Sequence, residues 1–212
     1  MYGDRPLYIL FLLGCLLTGL LILYPAYYAV PLSFFDADSF ISTPTWVGLE
    51  NYKLVLADQE FWAALMRGVI FAGTAISLQI ILGIGFALVL DSAIPGKAIL
   101  RGITVLPYLL PTVIVALIFQ WMLDDHIGIL TVLLENLGVE EAAAWANSPF
   151  WSMVLVIFVS VWLWTPFVTV CFLAGLQSVP EEMYEAAKVD GANAWLRFWH
   201  ITLPQLRSVL IV

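Results

Sequence analysis

From Leu7 to Phe35 the chain carries no charged side chain, and Gly68–Leu90, Gly102–Leu123 and Trp151–Leu176 are equally free of charge. A helix needs ~20 apolar residues to cross a bilayer, and each run reaches that length. With 62% of residues apolar and 11% charged, the chain lies far outside the soluble range. The first run exceeds the ~7–15 residue core of a signal peptide, and no A-x-A cleavage pattern follows it. The expected fold is therefore all-α: a polytopic bundle with four complete spans near 7–30, 68–90, 102–123 and 151–176. A fifth span begins at Ser208–Val212. Pro107 and Pro111 are expected to bend the third span. Gly73/Ser77 and Gly83/Ala87, small pairs four residues apart, let the second approach a neighbour closely.

The basic residues set the sidedness. Arg5, Lys97, Arg101, Lys188, Arg197 and Arg207 fall on one side of this topology, and Lys53 and Arg67 on the other. Six against two predicts a cytoplasmic amino terminus by the positive-inside rule. Ten acids then face outward: Asp36, Asp38, Glu50, Asp58, Glu60, Asp124, Asp125, Glu135, Glu140 and Glu141. Leu130, Leu133, Leu134 and Leu137 form an amphipathic stripe in the same outer segment. A net charge of −8 argues against nucleic acid as a partner. Cys15 and Cys171 fall in apolar runs and suggest no disulfide framework. His126 and His200 stand alone and suggest no metal site.

The longest polar interval, 177–206, follows the fourth span. Ser178 with Glu181 three residues later reads as a capping box, with Pro180 in the first turn. Gly191 supplies a left-handed stop, and Asn193 can cap a second helix running toward Pro204. Glu181, Glu182, Glu185 and Lys188 charge the first helix, while Ala186 and Ala187 give it almost no bulk. Such a helix can enter a groove closely and make a charge-assisted contact there. Taken by spacing alone, it also suits a solvated loop between spans.

The full pattern is Glu185-Ala186-Ala187, three residues, Gly191, nine residues, then Ile201-Thr202-Leu203-Pro204. It resembles the cytoplasmic signature loop of permease subunits in binding-protein-dependent ABC importers. The longer run Leu173–Ala192 resembles the sugar-type, maltose-transporter-like branch, and Trp46-Val-Gly-Leu-Glu-Asn-Tyr52 resembles an element after the first span of that family. The resemblance implies that Glu185, Ala186, Ala187, Gly191, Ile201, Leu203 and Pro204 couple the chain to a cytosolic ABC ATPase dimer. It implies further partners: a second permease subunit, an external solute-binding protein and membrane lipid, in the cytoplasmic membrane of a prokaryote. The family core has two more spans, so the sequence is expected to be a fragment or to lack its carboxyl end.

No Ser/His/Asp set, paired catalytic carboxylates or ligand cluster is present, so an enzyme is not expected. Pro95-Gly96-Lys97-Ala98 lacks the glycine (Asp91 stands there) and the Ser or Thr of a phosphate-binding loop. No cofactor is expected on this chain; ATP and magnesium belong to the partner ATPase. A small-molecule solute, a carbohydrate or a related or non-sugar compound, needs a path through the bilayer. Gln79 sits near the middle of the second span, and Trp162, Thr165 and Thr169 share one face of the fourth. The same groups also suit packing between helices. An ion-coupled transporter would carry ionisable residues inside its spans, which these lack; a membrane-bound regulatory scaffold would need only the loop.

Overall fold

The computed structural model describes residues 5–36, 44–92, 95–124, 128–138 and 148–211. Asp38, Asp125, His126, Glu140, Glu141 and the side chain of Leu134 lie outside them. Two compact units are present, 1–67 and 68–212.

In the first unit, α1 (Arg5–Leu32) is a long apolar helix with no buried residue among those described. It leads into a two-stranded antiparallel ribbon, β1 (Phe35–Asp36) and β2 (Thr45–Trp46), followed by α2 (Glu50–Ala57). The Gly-Leu-x-Asn-Tyr element closes this connection. Gly48 takes φ +62°, and its N–H and that of Val47 donate to the Phe34 carbonyl. The Asn51 amide donates to the carbonyls of Ser33 and Phe35, both at 3.0 Å. Phe34 packs its ring against Trp46 and Tyr52. A glycine, an amide and a tyrosine at those spacings thus staple the turn after the first helix.

In the second unit, α3 (Gln59–Asp91, which begins in the first) packs on α7 (Pro149–Gln177). Lipid supplies no hydrophobic drive between helices, so close backbone approach and polar contacts matter. Gly83 provides the approach: a Cβ there would lie 2.7 Å from Val168 Cγ1. Gly73, by contrast, has open space around it. Ala75, Ile157 and Val161 form one buried cluster. Ile84, Ala87, Leu90, Phe172, Leu173, Leu176 and Leu206 form the other.

The third expected span differs from its sequence reading. It starts five residues earlier and comprises two helices, α4 (Lys97–Val105) and α5 (Thr112–Met122), meeting at 85°. A 3-10 turn, Leu106–Leu109, joins them. Pro107 and Pro111 remove two backbone donors, and Pro111 drives Leu110 to an extended ψ of 133°. Prolines four residues apart break this helix rather than bend it. Among the described residues, three continuous helices are long and apolar enough to cross a membrane, and the broken pair makes a fourth if counted as one. The leucine stripe begins on α6 (Ile129–Asn136), with Leu137 just past its end; Leu133 is exposed, and Thr131 Oγ1 donates to the Asp124 carbonyl.

Candidate functional site

The interval after α7 folds as helix, glycine turn, helix. Its first helix, α8 (Glu181–Val189), begins at Pro180, not in a capping box. Ser178 Oγ donates instead to the Gly175 carbonyl, 2.7 Å away, and so closes the end of α7. No side chain caps the first turn of α8; the Met183 N–H donates to the Pro180 carbonyl at 3.1 Å, and Glu181 and Glu182 complement the remaining N–H groups by charge. Lys188 stands in the last turn, where a cation is favoured.

Gly191 has φ +83°. The Ala192 N–H reaches the Ala187 carbonyl at 2.9 Å, and the Gly191 N–H reaches that of Lys188 at 3.1 Å. This pair of bonds is the Schellman motif, which needs a left-handed residue at Gly191. Asn193 then caps α9 (Ala194–Arg197), its Oδ1 accepting from the Leu196 N–H at 2.8 Å. The chain continues through a π turn, Phe198–Thr202, into α10 (Leu203–Gln205) and α11 (Arg207–Ile211). Pro204 cannot donate to the His200 carbonyl, and its ring would crowd that oxygen. Widening the preceding turn to i→i+5 spacing relieves the conflict. Leu203 packs against the core, whereas Pro204 is exposed and Ile201 half-buried.

Glu185 and Ala186 are exposed, and α8 buries no residue. Among the described residues the charges of α8 form no ion pair. The helix therefore presents an unpartnered carboxylate beside small side chains. Behind it lies a cavity of about 930 Å³, lined by Glu181, Tyr184 and Lys188 of α8 and by the ends of α3 and α7. Tyr184 and Thr202 meet across its wall, hydroxyl to hydroxyl at 3.1 Å. Nothing in the motif marked that contact. The only hint was a tyrosine in a helix otherwise made of charged, small and aliphatic residues.

The four candidate path residues separate into two pairs. Trp162 and Thr165 line a groove of about 570 Å³ between α3, α4 and α7, together with Phe86, Phe158 and Pro107. Thr165 Oγ1 is buried without a hydrogen-bond partner. Pro166 cannot donate to the Trp162 carbonyl, which leaves an acceptor beside the indole. Gln79 and Thr169 do not line the groove. Gln79 Nε2 donates to the Ser160 carbonyl at 3.3 Å, tying α3 to α7. Thr169 is fully buried, and its Oγ1 donates to the Thr165 carbonyl at 2.8 Å.

The model of the binding-protein-dependent transport system inner membrane component family matches residues 79–212, which include every element of this loop. The trehalose/maltose transport system permease protein MalF of Thermococcus litoralis is 40% identical over 174 residues, 82% of this chain and 59% of that protein. The sulfoquinovosyl glycerol transport system permease protein SmoG of Agrobacterium fabrum is 33% identical over 212 residues, 99% of this chain and 68% of that protein. The chain thus spans about three fifths to two thirds of the length of these relatives. The fold is similar to that of a bacterial ABC transporter involved in the import of the acidic polysaccharide alginate. The TM-score is 0.80 at 23% identity, over 98% of this chain and 70% of that one. A second structure of a bacterial alginate ABC transporter, in complex with an alginate pentasaccharide-bound periplasmic protein, gives a TM-score of 0.78.

Proposed function

Because the chain belongs to the family of binding-protein-dependent transport system inner membrane components, we propose that it is a permease subunit of an ATP-driven importer for a carbohydrate or related solute. One observation carries the reading. The exposed α8 offers Glu185, Ala186 and Ala187 with no partner of their own, and its glycine turn fixes how it projects. That surface suits the cleft of a cytosolic ATPase, where a basic residue would meet Glu185. ATP chemistry belongs to that dimer and not to this chain. A second permease subunit completes the pore, and an external solute-binding protein delivers the cargo. The periplasmic protein in one structural relative supports the latter. The amino terminus and the α8 loop lie in the cytoplasm, as the basic bias predicts.

The carbohydrate reading rests on relatives named for trehalose/maltose and sulfoquinovosyl glycerol transport. Trp162 and Thr165 line the solute path, where the exposed indole face of Trp162 packs on a sugar ring. Copurification with a P-loop ATPase, followed by solute-stimulated ATP hydrolysis in proteoliposomes, tests the reading. A chain that purifies without an ATPase and acts on an ion gradient instead would overturn it.

A further inference from the structure

The signature helix is attached to the bundle by very little. It buries none of its residues, and the cavity of about 930 Å³ separates one of its faces from the ends of α3 and α7. A helix held only by its two connections could swing without moving anything beneath it. Among the described residues, one side-chain hydrogen bond ties it to another element, that of Tyr184 with Thr202.

The far end of that bond is firmly seated. Thr202 is 4% exposed and sits in the π turn, where its Oγ1 also donates to the Arg197 carbonyl at 3.5 Å. That leaves an oxygen lone pair to accept from the Tyr184 hydroxyl. Four residues on, Leu206 is fully buried in the cluster formed by Ile84, Ala87 and Leu90 of α3 and Phe172, Leu173 and Leu176 of α7. Gly175 makes room for it, since a Cβ there would lie 2.8 Å from Leu206 Cδ2. Contacts thus run without a gap from α8 through Tyr184, Thr202 and Leu206 to the two longest helices of the unit.

We infer that the Tyr184–Thr202 hydrogen bond is the strut that carries movement of the signature helix into the bundle. Tyr184 and Thr202 are then positioning residues for coupling, distinct from Glu185, which faces the ATPase. This rests on the coupling role proposed above for α8. Without the strut, closure of the ATPase swings α8 into the cavity, and part of each hydrolysis event is lost to the bundle.

The test uses the complete importer in proteoliposomes, with ATP hydrolysis and solute uptake measured together. Tyr184→Phe removes only the hydroxyl. It should raise the ATP hydrolysed per solute about two- to tenfold, the factor expected for one neutral hydrogen bond, with ATPase copurification unchanged. Thr202→Val should act in the same direction, Thr202→Ser should keep the wild-type ratio, and the double variant should be no worse than either single one. An unchanged ratio in Tyr184→Phe overturns the strut while leaving the coupling role intact. Loss of ATPase copurification in that variant also overturns it, because Tyr184 would then hold the docking surface itself. A wild-type complex that does not copurify with an ATPase sinks both readings.

Discussion

A side chain at Gly191 would meet no atom within 4 Å, so any penalty there comes from the backbone alone. At φ +83° a β-branched residue costs about 1–2 kcal/mol and unseats the two Schellman bonds. Gly191→Val should therefore leave the protein at normal membrane level but abolish uptake, as measured by transport and immunoblotting together. Glu185→Lys acts differently, since the backbone is untouched and only the contact with a basic partner is reversed. Association with the ATPase should weaken about a hundredfold in a pull-down titration, with partial rescue by charge reversal on the ATPase. These two residues were legible because their roles are local: a glycine stop and an exposed acid follow from a few neighbouring letters. Ser178 was misleading for the same reason. Its hydroxyl had two helix ends within reach, and it serves the carbonyls behind it rather than the N–H groups ahead. Thr202 was illegible, because its partner lies eighteen residues away across a turn.

Among the elements, charge-free length pointed to α1, α3 and α7, since crossing a bilayer demands an apolar run, but it does not set where a helix starts: α3 begins at Gln59, nine residues before Gly68. It could not show that the third span is broken, because proline chemistry and not hydropathy decides that. Spacing was also too weak a guide to helix contact. Both small pairs of α3 had the same pattern, yet a Cβ at Gly83 would strike Val168 and one at Gly73 would meet no atom within 4 Å. Gly175, outside either pair, is as crowded, with Leu206 Cδ2 at 2.8 Å and Val209 Cγ2 at 2.9 Å. Overpacking at such sites costs about 1–3 kcal/mol. Gly83→Val and Gly175→Val should accordingly lower the melting temperature of the detergent-solubilised complex, and Gly73→Val should leave it unchanged. Equal effects at all three positions would mean that close helix contact is not what Gly83 and Gly175 serve.

At the scale of the whole molecule, sidedness decides whether the other assignments hold together. The coupling role needs α8 on the side of the ATPase, and the solute-binding protein needs the turn after α1 on the opposite side. The charge distribution supports this arrangement: Lys97, Arg101, Lys188, Arg197 and Arg207 all fall on the side assigned to the cytoplasm, against Lys53 and Arg67 on the other. Retention of basic loops depends on Lys and Arg close to the span ends, and acids contribute little. The outward acids are therefore not needed for the orientation. Single cysteines at Glu50, Glu135 and Asp190, all exposed, provide the test in intact cells after both native cysteines are replaced. Those at 50 and 135 should react with a membrane-impermeant maleimide, and the one at 190 only after permeabilisation. Reaction at 190 with protection at 50 and 135 would put α8 beyond the reach of any cytosolic ATPase, and the coupling assignment would fall with it.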